Sequence, residues 1–136
     1  MDILLDTCAC IWIVENASLA EQAISALDES SDEGRPVYIS PITAWETGML
    51  ASRRRLALSV TPIVWFQRLV QVAGFQLWPL SPEILVASSF LPGEPPRDPA
   101  DRIIVSTARQ AGLRVMTRDR LILDYADAGH VAAIGC

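Results

Sequence analysis

Residues 98–119 read DPADRIIVSTARQAGLRVMTRD, and this stretch sets the architecture of the chain. Asp98 followed by Pro99 opens a helix, because an aspartate accepts from the first free N–H groups and the fixed φ of proline suits the first turn. The amphipathic run DRIIVSTA continues that helix from Asp101. A short apolar run at 113–116 then reads as a strand, and Asp119 follows VMT within two residues. Working outward, apolar or β-branched runs recur at 3–5, 37–39, 75–78 and 131–134, with helical patterns between them. Helical connections between successive parallel strands are right-handed and cover both sheet faces. The expectation is an α/β chain: a three-layer α/β/α sandwich on a mostly parallel sheet of about five strands, forming one domain over residues 1–136.

Three further helices start with a capping residue and proline, at Ser40-Pro41, Thr61-Pro62 and Ser81-Pro82. Another is expected from Ser18 to Asp28, capped by Ser18, with Leu19, Ala20, Ala23, Ile24 and Leu27 on one face. ESSDEGRP at 29–36 and PGEPPR at 92–97 read as loops. The strands at 3–5 and 113–116 are expected side by side where the winding reverses, which sets Asp6 opposite Asp119. Trp65 and Phe66 are adjacent, so either both wedge into the core or one ring marks an interface.

The chain of 136 residues is 51% hydrophobic, enough for a sizeable core, yet its apolar runs are broken too early to span a membrane. The start, MDILLD, has neither a basic region nor a cleavage site, and a cytoplasmic location is expected. A net charge of −5 argues against a protein that coats nucleic acid through a broad positive field. All 11 basic residues are arginine, which excludes chemistry built on a P-loop lysine or a lysine Schiff base. Cys8, Cys10 and Cys136 are expected to be reduced thiols, since Cys8 and Cys10 lack zinc-site spacing and the single histidine, His130, is distant. His130 itself reads as structural.

The chemistry-bearing residues are acids. Asp6 closes the run Ile3, Leu4, Leu5; Glu46 lies six residues beyond VYIS; Asp101 opens DRIIVSTA; Asp119 follows VMT. Each has a plainer reading: Asp6 and Asp98 as helix caps, Asp101 as a first-turn acid favoured by the helix dipole, Asp119 as a turn residue. Glu46 is harder to dismiss, because an acid among Ala44, Trp45, Met49 and Leu50 needs a partner. The carboxyl ends of parallel strands form the crevice where ligands bind, so these acids can gather there around divalent metal. With carboxylate oxygens as the donors, Mg²⁺ or Mn²⁺ suits such a pocket better than zinc or copper. A haloacid-dehalogenase-like phosphatase would need a second aspartate where Cys8 stands, and a lysine.

Three blocks, LLDTCACIW, VYISPITAWETGML and RDPADRIIVSTARQAGLRVMTRD, together resemble the PIN domain family, and within it the VapC-like toxins of bacterial toxin-antitoxin systems. The resemblance runs almost from end to end. It implies a metal-dependent endoribonuclease whose acidic set falls on Asp6, Glu46, Asp101 and Asp119, with Asp98 as an additional acid and Thr7 and Thr117 as nearby polar positions. On that basis Asp6 and Asp101 are inner metal ligands, Asp119 a direct or water-mediated ligand, and Glu46 a water-orienting group. The resemblance also implies a homodimer and a cognate antitoxin protein, with DNA met only through that antitoxin. Cys8, Cys10 and the proline-rich 92–97 segment depart from the usual pattern without touching the acids. Arg102, Arg118 and Arg120 neighbour the acids and either balance them or touch substrate. The run Arg53, Arg54, Arg55 is either a grip on RNA phosphates or a solvated helix end. The competing reading is a PIN-like RNA- or protein-binding module without turnover.

Overall fold

The structure, a computed structural model, describes residues 1–71 and 74–136. Its core is a five-stranded, wholly parallel sheet made of β1 (Ile3–Leu5), β2 (Val37–Ile39), β3 (Gln76–Leu77), β4 (Arg114–Thr117) and β5 (Ala132–Gly135). Their spatial order is β3-β2-β1-β4-β5, so the winding reverses between β1 and β4 as expected. Leu5 pairs with Ile39 on one side and Met116 on the other, which brings the ends of three strands level. The β3 strand is shorter than the 75–78 run, and the other strands match their runs to within one residue.

Ile3, Leu4 and Leu5 have no exposed surface, because a central parallel strand is covered on both faces. Their alternation divides the core. Ile3 and Leu5 join Ala9 and Cys10 of α1 (Thr7–Val14), Ala23 and Ala26 of α2 (Glu21–Asp32), and Trp65, Phe66 and Leu69 of α4 (Pro62–Gln71). Leu4 packs on the opposite side with Ile104, Val105 and Ala108 of α6 (Pro99–Ala111), and Ile122 and Tyr125 of α7 (Arg120–Asp127). Two apolar layers separated by one sheet make the three-layer sandwich. Trp65 and Phe66 are both buried, so the core reading of that pair holds. No described helix is long and apolar enough to cross a membrane.

The proline-marked starts produce α3 (Ile42–Ser52), α4, α5 (Pro82–Ala87) and α6. Ser81 accepts from Ile84 N at 3.2 Å, Asp98 from Asp101 N at 3.0 Å, and Ser40 from Ile42 N at 3.1 Å. The Ser18 expectation is corrected: α2 begins at Glu21, and Ala20 at its cap position makes no side-chain cap bond. The backbone just before it is committed elsewhere, since Ala20 N donates to Cys136 O at 2.9 Å. That helix also runs through Asp32, so the first half of the expected 29–36 loop is helical. At this acid-rich end the Arg35 guanidinium reaches Asp2, Glu33 and Glu29, which lessens their mutual repulsion.

Candidate metal-binding carboxylate site

Each acid reaches the carboxyl edge of the sheet by a different local device. Asp6 leaves β1 in extended conformation and caps α1, one carboxylate oxygen accepting from Ala9 N at 2.7 Å. Its second oxygen accepts from the Thr117 hydroxyl at the end of β4. Thr117 Oγ1 in turn accepts from Asp119 N at 2.9 Å, and Asp119 caps α7 through Ile122 N at 3.0 Å. The pairing of β1 with β4 therefore joins Asp6 and Asp119 through one buried hydroxyl. Asp101 lies in the first turn of α6, behind the cap residue Asp98. Glu46 lies on α3 and accepts a 2.5 Å hydrogen bond from the Thr7 hydroxyl, which is itself bonded to Thr43 at 3.0 Å.

Asp6, Glu46, Asp101 and Asp119 line one cavity of about 210 Å³, together with Thr7, Cys8, Trp12 and Arg118. Asp98 is exposed and outside that lining, but its charge is felt at both Glu46 and Asp101. Thr117 is fully buried beneath the cavity as a support for Asp6. Arg102 is not among the lining residues: it donates to Ser88 O and Pro96 O, both at 3.0 Å, and so ties down the proline-rich loop. Arg120 pairs with Asp124 one helical turn away on an exposed face. His130 stacks on Tyr125 with ring centroids 4.8 Å apart, a structural role. Arg53, Arg54 and Arg55 are exposed at the end of α3.

The capping readings and the cavity are compatible, because each carboxylate oxygen has two lone pairs and a backbone N–H occupies one. Electrostatics at the site are one-sided. Burial, then the neighbouring charges of Asp98, Asp119, Glu46 and Asp6, pushes the Asp101 pKa up to about 7. Burial likewise raises Asp6 and Glu46, opposed by the hydrogen bonds from Thr117 and Ala9 in the first case and from Thr7 in the second. The Cys8 thiol is raised to about 11, first by burial and then by the four acids together. Cys8 is exposed by residue surface, but its place in the cavity lining accounts for both effects. Among the described residues no basic side chain forms an ion pair with any of the four acids.

Four carboxylates in one cavity are donors that suit a hard divalent cation. Among the described residues no three acidic, histidine or cysteine side chains stand as close together as a finished metal cage requires. The acids thus share a cavity rather than a point.

Thr43 and Trp12 were not singled out in the sequence, although signals existed. Thr43 stands three residues before Glu46, on the same helix face, and Trp12 stands four after Cys8. The three cysteines are free thiols, as expected.

Comparison with known proteins bears on the family and the fold. Ribonuclease VapC22 of Mycobacterium tuberculosis is 31% identical over 126 residues, which is 90% of this chain and 91% of that protein. The crystal structure of FitAcB from Neisseria gonorrhoeae matches with a TM-score of 0.62 and 28% identity, covering 97% of this chain and 96% of the other. VapBC-5 of Mycobacterium tuberculosis, a member of the VapBC family of toxin-antitoxin systems, shares the fold at a TM-score of 0.61 and 22% identity over the full length of both chains. The family model described as PIN domain matches residues 3–128, which include all four cavity acids, and the chain belongs to the PIN domain family.

Proposed function

We propose that this chain, as one domain over residues 1–136, is a metal-dependent endoribonuclease acting as the toxin of a bacterial toxin-antitoxin pair. The observation that carries the reading is the set of four carboxylates lining one cavity with no basic partner among the described residues. Buried or half-buried like charges are costly, and a chain keeps them uncompensated where a cation is to be bound. Similarity to a protein described as a ribonuclease supports RNA as the substrate. Similarity to a toxin-antitoxin complex from Klebsiella pneumoniae supports an antitoxin partner. A DNA-bound VapBC from Salmonella typhimurium fits contact with DNA through that antitoxin.

Asp6, Asp101 and Asp119 would hold Mg²⁺ or Mn²⁺, and Glu46 would orient the attacking water. When bound, such an ion supplies a nucleophile at neutral pH and charge relief at the scissile phosphate. The protein's part is positional. Thr117 and Ala9 N hold the Asp6 carboxylate in one orientation, so that a buried ligand need not reorganise. The Thr43–Thr7 pair does the same for Glu46, leaving its second oxygen to accept a proton from water. With no histidine in the cavity lining, proton transfer falls to carboxylates. The resemblance also supports a homodimer and a cytoplasmic location.

The test is incubation with mixed structured RNA plus Mg²⁺ or Mn²⁺, with a chelator control and Asp6→Asn. Cutting that needs the metal and the aspartate supports the enzyme. The second reading, a catalytically silent binding module, draws on the absence of a tight cage among the described residues. It predicts RNA or protein binding with no metal-dependent cutting of any RNA.

A further inference from the structure

Arg118 lines the acidic cavity without joining its carboxylates. It stands between Thr117, which holds Asp6, and Asp119, so four acids attract its guanidinium inward. Yet its Cζ lies 3.9 Å from the centre of the Trp12 ring, and a terminal N–H donates to Ser18 O. Among the described residues it forms no ion pair. It also hydrogen-bonds the Cys136 thiol, where its charge and that bond oppose the rise caused by burial. A guanidinium has five N–H donors in one plane. Ser18 O takes one and the Cys136 sulfur another, and no other acceptor among the described residues bonds the rest.

Trp12 is fixed by its own packing, since it belongs to α1 and rests against the core cluster of Ile3, Leu5 and Met116. The ring face attracts a cation through its quadrupole, which holds the guanidinium at the rim and away from the acids. Two consequences follow from one contact. The carboxylates stay available for a metal, and a planar cation stays available for an anion at the same opening. A phosphodiester has that charge and geometry.

We propose that Arg118, held open by Trp12, is a positioning residue that binds the backbone phosphate next to the one being cleaved in a single-stranded RNA. The proposal rests on the nuclease reading above. It assigns the pair a role in substrate affinity: the arginine offsets the repulsion between an anionic strand and an acidic mouth. Loss of Trp12 lets the guanidinium fall onto the carboxylates, where it competes with the metal.

The experiment measures steady-state cleavage of a short fluorescein-labelled single-stranded RNA, and its binding to the Asp101→Asn background over a range of salt. Arg118→Ala is expected to raise KM at least about tenfold, the scale of a lost charge-assisted hydrogen bond, with kcat much less affected. It should also flatten the salt dependence of log Kd by about 0.7, one backbone contact on a single strand. Arg118→Lys should restore that slope. Arg118→Gln, which keeps a donor for Ser18 and removes the charge, should behave as alanine does, without the folding risk. Trp12→Ala should raise the metal concentration needed for half-maximal activity, and Trp12→Phe should not. If wild type cuts the RNA but Arg118→Ala and Arg118→Gln keep its KM and salt slope, Arg118 is only a structural latch and the proposal is wrong. If wild type neither binds nor cuts RNA with either metal, the nuclease reading fails and this one fails with it.

Discussion

The two ends of the same sheet treat negative charge in opposite ways. Before β1 and β2, Arg35 gathers Asp2 at 3.0 Å, Glu33 at 2.6 Å and Glu29 at 3.9 Å, so three acids there share one cation. Beyond β1 and β4, Asp6, Glu46, Asp101 and Asp119 line a cavity with Arg118 in its wall, and none pairs with it. Composition does not separate the two ends, since both hold acids and an arginine. The difference is whether charge is settled within the fold. Paired surface acids hold a chain together weakly, whereas unpaired acids in a cavity cost stability and are a place where an external cation can bind.

The largest expected break in this contrast is Asp101→Asn. It should lower metal-dependent RNA cleavage by at least about a hundredfold, the scale of removing one preorganised electrostatic group. In chelator, the variant should melt no lower than wild type, because it relieves repulsion among the acids. A large fall in melting temperature by circular dichroism would mean that Asp101 is structural.

The pH dependence sharpens the same point. The folded-state pKa of Asp101 is about 7 against an ordinary 3.8, so the folded chain binds its proton more tightly than the unfolded chain does. The stabilising contribution is complete below about 3.8 and is lost as pH rises through about 7. Asp6 and Glu46 are shifted in the same direction. Metal-free wild type should therefore lose thermal stability between pH 5 and pH 8, with Asp101→Asn flatter over that range. Added Mg²⁺ or Mn²⁺ should raise the melting point more at the alkaline end. A melting point independent of pH in chelator would contradict the charge crowding.

Thr117→Val tests the support beneath the site. It removes the hydroxyl that donates to buried Asp6 and accepts from Asp119 N. Urea unfolding should show a loss of about 1–3 kcal/mol, the cost of stripping a buried group of its partner. Cleavage should fall as well, since Asp6 would no longer be held in one orientation. At the other end of the sheet, Arg35→Ala should change melting temperature slightly and leave cleavage unaltered, the smallest effect of the series. A loss of cleavage in that variant would mean that the two ends are coupled.

The inner strands were legible because they are largely buried, so ILL at 3–5, VYI at 37–39 and the run at 113–116 stand out, whereas β3 at the sheet edge is exposed. The starts of α5 and α6 were equally legible, since cap and proline act locally. The start of α2 was not. Its first residues are decided by a bond from Ala20 N to the far end of the chain, which no local pattern reports. The 29–32 segment is helical although its composition reads as loop; Arg35 lies within the same 29–36 stretch, but its pairing with Glu29 and with distant Asp2 is set by the fold. At the site, Arg102 stands next to Asp101 in sequence but is spent on the carbonyls of Ser88 and Pro96, and Arg118 proved the one at the cavity. Adjacency along a helix start says little about direction, because successive side chains point about 100° apart.

What the amino-acid order determined by itself was the alternation of strands and helices, the cap-and-proline starts, and the acids at the ends of strands, all products of interactions within a few residues. Only the tertiary structure decided that Thr117 bridges Asp6 and Asp119, that Thr43 and Thr7 orient Glu46, and that Trp12 holds Arg118 off the acids. Those contacts join residues up to 111 positions apart. They exist because the β1–β4 pairing brings distant strand ends level, and the balance of charge at the cavity is set by that geometry rather than by local sequence.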